Sequence, residues 1–146
     1  MSKSFKWMVV APLASLTLGM SAIAANAQSA MYNPIALPAS NEITDNLTDR
    51  DIPTGFGGFA RDYRVSLQEG DYIVIDLTSD QFDTILTLIG PDGATAGEND
   101  DGPDGTTNSL LFSRITTSGN YILRVRPFGG QGTGNFNLKL TRLRPV

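Results

Sequence analysis

The chain has 146 residues, with 15 acidic and 11 basic side chains, no histidine and no cysteine. Lacking both, it can build no Ser-His-Asp arrangement, no Cys-His pair, no ordinary zinc site and no disulfide. Its acidic balance repels phosphate backbones and anionic bilayers, which argues against nucleic acid as a partner.

Lys3 and Lys6 precede a mostly apolar stretch, residues 8–23, and Ala25-Asn26-Ala27 follows as a small-residue exit. A basic start, an apolar middle and an A-x-A end predict a secretory signal peptide over residues 1–27. The apolar run is shorter than the ~20 residues a membrane span needs, and Pro12, Ser15, Thr17 and Ser21 interrupt it. The mature chain is therefore expected to have no membrane span and to work in the periplasm or outside the cell. Removing residues 1–27 leaves 119 residues and nine basic against fifteen acidic side chains, a net charge of −6. That length supports one domain with a core of its own.

Residues 28–40 carry Pro34 and Pro38 with no clean period and are read as an extended N-terminal arm. A short first strand is expected around Ile43 to Leu47. Residues 54–59 (TGFGGF) form a Gly-rich turn with one of its two rings tucked inward, a binding surface being the alternative reading. From Asp62 the pattern becomes regular. Tyr63, Val65 and Leu67 alternate with polar residues, as do Ile73, Ile75 and Leu77, then Tyr121, Leu123 and Val125, and last Phe136, Leu138 and Leu140. Period-two alternation with turn signals between the runs predicts half-buried antiparallel strands. Ile73, Ile75, Leu77, Leu86, Leu88, Tyr121, Leu123, Val125, Phe136, Leu138 and Leu140 are the predicted core. No helical period of useful length follows the leader, so the fold class is all-β, a sandwich or jelly roll of antiparallel strands.

Between the apolar runs 84–89 and 110–115 lies the stretch richest in oxygen ligands, with a turn at Gly90-Pro91-Asp92-Gly93 and then Glu98, Asn99, Asp100, Asp101 and Asp104. Two strands are expected to carry it as an acidic loop, with Asp83 facing residues 99–101. Close carboxylates repel unless they are solvated or neutralised by a cation. Calcium takes carboxylate, amide and carbonyl oxygens, which Asp83, Asn99, Asp100 and Asp101 can supply. An Asx-turn network, in which the same side chains cap backbone N–H groups and hold no metal, is the equal alternative. An EF-hand fails here, because Leu111 stands at the twelfth position from Asp100. Two carboxylates suffice for glycoside hydrolysis, so a small secreted hydrolase using Asp83 and Asp100 is the catalytic alternative. A structural component of a cell surface or matrix is a further one.

In order along the chain stand DYRVSLQEGDYIVIDL, FDTILTLIGPDG, ENDD, NS, SGNYILRV and GTGNFNLKL. This succession resembles the bacterial pre-peptidase C-terminal domain family, related to the collagen-binding modules of secreted collagenases, over residues 43–143. The resemblance implies a jelly-roll β-sandwich, non-catalytic, that serves exported proteins as an accessory module. It implies a domain over residues 41–146 and, as partner, an extracellular or envelope protein or polysaccharide. It also implies that Asp62, before Tyr63, joins Asp100 and Asp101 as a calcium ligand. The acidic segment that often opens the family has no good counterpart here.

Overall fold

The computed structural model describes residues 32–143. The proposed leader, residues 28–31 of the arm and residues 144–146 lie outside the described residues. Ten strands follow one another: β1 (Ile35–Ala36), β2 (Glu42–Leu47), β3 (Ile52–Pro53), β4 (Phe59–Leu67), β5 (Tyr72–Thr78), β6 (Thr84–Ile89), β7 (Thr95–Asn99), β8 (Ser109–Arg114), β9 (Gly119–Pro127) and β10 (Gly134–Leu143). One sheet has the order β1-β4-β9-β6-β7, with β3 beside β4; the other has the order β2-β10-β5-β8. Every pairing is antiparallel except β1 with β4. From β4 onward each connection except the β6–β7 hairpin crosses from one sheet to the other, as in a jelly-roll sandwich.

The alternation of apolar and polar side chains dictates this stacking. On β9, Tyr121, Leu123 and Val125 are buried while Ile122, Arg124 and Arg126 are only half-buried. On β10 the same rule buries Phe136, Leu138 and Leu140 and leaves Lys139 exposed. All eleven predicted core residues are buried in one cluster between the sheets. Leu47, Tyr63, Val65, Leu67, Phe82, Leu111 and Ile115 complete it. The Phe136 ring meets Tyr63 and Phe82 edge-on, at centroid distances of 6.2 and 6.3 Å, the geometry that aromatic quadrupoles favour.

Two elements differ from the sequence reading. Part of the arm is structured: Ile35 and Ala36 pair in parallel with Tyr63 and Arg64, and the Leu37 N–H donates to the Arg64 carbonyl. The acidic stretch also begins later than expected. The turn at Gly90–Gly93 leads into β7, whose Asn99 lies opposite Leu86 and whose Glu98 lies opposite Thr87. TAGEN is poor in strand-forming residues, so its extended shape comes from the open edge of β6 and not from its own propensity.

Candidate functional site

The registers bring the end of β2, the start of β4, the end of β5, the start of β6, the end of β7, the start of β8, the end of β9 and the start of β10 to one end of the sandwich. The connections there are residues 48–51, 54–58, 79–83, 100–108 and 128–133. Together they carry seven aspartates (Asp49, Asp51, Asp80, Asp83, Asp100, Asp101 and Asp104) and one basic residue, Arg50.

The loop over 100–108 is stitched by its own side chains. Asn99 Oδ1 accepts the Asp101 N–H at 3.2 Å, and its Nδ2 donates to the carbonyls of Asp101 (2.9 Å) and Leu110 (2.8 Å). Asp104 Oδ1 accepts the Thr106 N–H at 3.3 Å, and hydrogen bonding from Thr106 holds this exposed carboxyl below its ordinary range. At the far end Asn108 Oδ1 accepts the Ser79 N–H at 2.9 Å, and the buried Ser109 hydroxyl donates to the Thr84 carbonyl at 2.9 Å. Asn108 and Ser109 thus anchor the far end of the loop through side-chain bonds to backbone. The bonds at Asn99 and Asp104 have the Asx-turn pattern.

The five residues considered for calcium do not come to one point. Asp62 lies on β4, where Arg124 Nε and Nη2 grip its two oxygens at 2.8 Å each. In the register Asp62–Arg124–Thr87–Glu98 it stands three strands from β7, about 14 Å at the usual strand spacing. A calcium ion reaches its ligands at roughly 2.3–2.6 Å. Asp83 leads into β6 through its backbone. Its carbonyl accepts the Phe128 N–H, and the next residue, Thr84, bonds Thr107. The Asn99 amide is engaged as described. Asp100 and Asp101 remain as a half-buried and an exposed carboxylate, adjacent in sequence. Among the described residues no group of three or more Asp, Glu, His or Cys could hold a metal ion.

A clamp that the sequence reading missed holds the same end together. Arg61 on β4 donates from Nε to Asp45 Oδ2 at 2.9 Å and from Nη1 to Asp51 Oδ1 at 2.6 Å. The buried Tyr63 hydroxyl donates to the same Asp45 oxygen at 2.6 Å. Burial pushes the Asp45 carboxyl up, but the bonds from Tyr63, the Asn46 N–H and Arg61 outweigh it and hold the group below its ordinary range. Burial, with the Asp45 carboxylate beside it, pushes the Tyr63 phenol well above its usual range. Asp51 Oδ2 also accepts the Thr48 N–H at 2.7 Å, so the 48–51 connection is fixed to β4. The sequence signal was an alternating Arg-x-Tyr on β4 opposite two aspartates near β2, which spacing alone cannot pair.

Two further loops interlock beside this clamp. Thr54 accepts the Phe56 N–H on Oγ1 (3.4 Å), donates from it to the Gly57 carbonyl (2.7 Å), and donates its own N–H to the Gly58 carbonyl (3.2 Å). Gly58 lies at φ +76°, and a Cβ there would sit 2.5 Å from the Gly130 carbonyl oxygen. A Cβ on Gly130 would meet the Gly57 carbonyl oxygen at 2.7 Å. Backbone therefore touches backbone, and only glycine fits. Phe59 tucks against the core as expected of one ring, whereas Phe56 is 95% exposed and Phe128, on the facing loop, 50% exposed.

The sequence pattern of the bacterial pre-peptidase C-terminal domain matches residues 60–127, the span of β4 to β9. Over these residues the chain is similar to a bacterial pre-peptidase C-terminal domain (PPC domain). Solved structures share its fold. The pre-peptidase C-terminal domain of a Bacillus anthracis collagenase is 13% identical, with a TM-score of 0.55 over 75% of this chain and 93% of that one. PliG from Aeromonas hydrophila, a periplasmic lysozyme inhibitor of g-type lysozyme, is 13% identical, with a TM-score of 0.56 over 76% of this chain and 96% of that one. PliG from Salmonella Typhimurium is 11% identical, with a TM-score of 0.51 over 77% of this chain and all of its own. At such identities the likeness is one of fold. No curated protein sequence matches the chain.

Proposed function

We propose that this PPC-like domain is an exported, non-catalytic module that binds a protein or polysaccharide of the envelope or the surroundings. The observation that carries this reading is how the polar groups are used. Among the described residues every buried side-chain nitrogen and oxygen has a partner. The titratable groups held away from their ordinary range at Asp45, Arg61 and Tyr63 belong to a clamp between strands. Catalytic groups in a cleft are perturbed for a task and face a substrate; these face one another. The predicted leader and the periplasmic and collagenase fold relatives support export. Among the described residues no helix is long and apolar enough to cross a membrane.

The test is recovery of a partner by tagged protein from envelope and culture-fluid fractions. A component retained in stoichiometric amount and displaced by untagged protein is expected. Retention of nothing from either fraction would contradict the reading. A lysozyme is a specific partner to try, because two fold relatives are lysozyme inhibitors. Clearing of cell-wall suspensions by a g-type lysozyme, slowed by the PPC-like domain in proportion to its concentration, would support that narrower reading. Unchanged clearing would remove it and leave the broader one standing.

A further inference from the structure

We infer that the loop end of the PPC-like domain is a docking surface for a basic protein, with Phe56 and Phe128 as its apolar anchors. This rests on the binding-module reading and goes further by naming the surface and the partner's chemistry. Phe56 is held out by a turn with three internal hydrogen bonds, braced by the Gly58–Gly130 backbone contact. A ring of this size left in water is unfavourable, and it gains that free energy back only when something covers it. A preorganised aromatic on a short loop also loses little conformational freedom on binding, which is what anchor residues of interfaces need. Phe128 presents a second half-exposed ring from the facing loop.

Charge selects among the occupants. Seven aspartates and one arginine lie in the connections around the two rings. Behind Phe56 a groove of about 210 Å³ is bounded by Thr87, Ile89, Glu98, Arg124 and Arg126, with the two arginines ion-paired to Asp62 and Glu98, so the excess of negative charge lies in the aspartates of the connections. An anionic bilayer would be repelled by this rim, and so would the same end of a second copy. A partner with lysines or arginines around an apolar recess is complementary in both respects.

The experiment places a benzophenone photo-cross-linking residue at Phe56, at Phe128, and, as controls on the outer face of the other sheet, at Phe112 and Lys139. The full chain is irradiated in the cells that export it, and the adducts are identified by mass. The expected result is one protein with an excess of basic residues, attached at positions 56 and 128, absent from the controls, and weakened by salt and by Asp100→Asn with Asp101→Asn. With that protein purified, Phe56→Ala should lower affinity about ten- to a hundred-fold. The unfolding midpoint should not change, since the ring packs on nothing. Adducts with lipid, with a second copy or with an acidic protein at position 56 would overturn the inference, as would unchanged affinity in Phe56→Ala. Adducts only at Phe112 or Lys139 would overturn it while leaving the binding-module reading intact. Adducts at none of the four positions would count against both.

Discussion

Asp45 shows how much of the loop end depends on single side chains. It receives Arg61 and the Tyr63 hydroxyl on one oxygen, so Asp45→Asn leaves an arginine and a phenol short of their charged partner. The expected loss is about 1–3 kcal/mol at neutral pH. Because the folded state holds this carboxyl below its unfolded value, its contribution is fully present above the unfolded value of about 3.9. It fades as pH falls through the lower folded value. Thermal unfolding of wild type and Asp45→Asn should therefore show a constant gap from neutral pH to about pH 5 that closes on further acidification. A gap that widens in acid would contradict the clamp. Ser109→Ala removes the hydroxyl shared with Thr84 and should cost about 1–2 kcal/mol in the same measurement. Residue types in the acidic stretch were informative in the sequence, and Asn108 and Ser109 anchor the loop as their chemistry suggests. The Arg61–Asp45–Asp51 clamp was not legible, since nothing in one sequence says which aspartate a strand arginine will meet across two sheets.

Strands followed from the sequence wherever burial on one face wrote an alternating pattern. That was so for β4, β5, β9 and β10, and the shared cluster of Ile73, Leu123 and Leu138 is its outcome. Leu123→Ala should cost about 2–5 kcal/mol, while exposed Lys139→Ala should fall near zero; denaturant midpoints at equal slope decide both. β7 was illegible because its burial is slight and its residues are weak strand formers, so only the register to β6 reveals it. The interlocked loops were half-legible. The glycines of residues 54–59 announced a turn, but their partner, Gly130, lies some seventy residues away. Gly58→Ala forces a Cβ into the Gly130 carbonyl at a left-handed φ. It should lower the unfolding midpoint and raise hydrogen exchange in both loops; Gly55→Ala, which shares the left-handed φ (+80°) but has open space around it, should lower the midpoint less and leave the 128–133 loop protected.

At the scale of the molecule, a cysteine-free sandwich carries its stability in one core and in clamps at its ends. With the 100–108 loop tied by Asx turns, the domain should unfold at the same temperature in calcium, magnesium or chelator. A rise with calcium alone, removed by Asp100→Asn or Asp101→Asn and not by Asp104→Asn, would instead place a cation at that pair. The sandwich was legible as a whole because period-two burial and an ordered series of motifs agreed. The partner was not, because a docking surface is written in exposure, and exposure is a property of the folded chain. On the proposed function this fold binds and does not turn over. The most direct test incubates the purified protein with panels of glycans and peptides. No product is expected from any of them. Turnover that disappears in Asp83→Ala or Asp100→Ala would contradict a non-catalytic role.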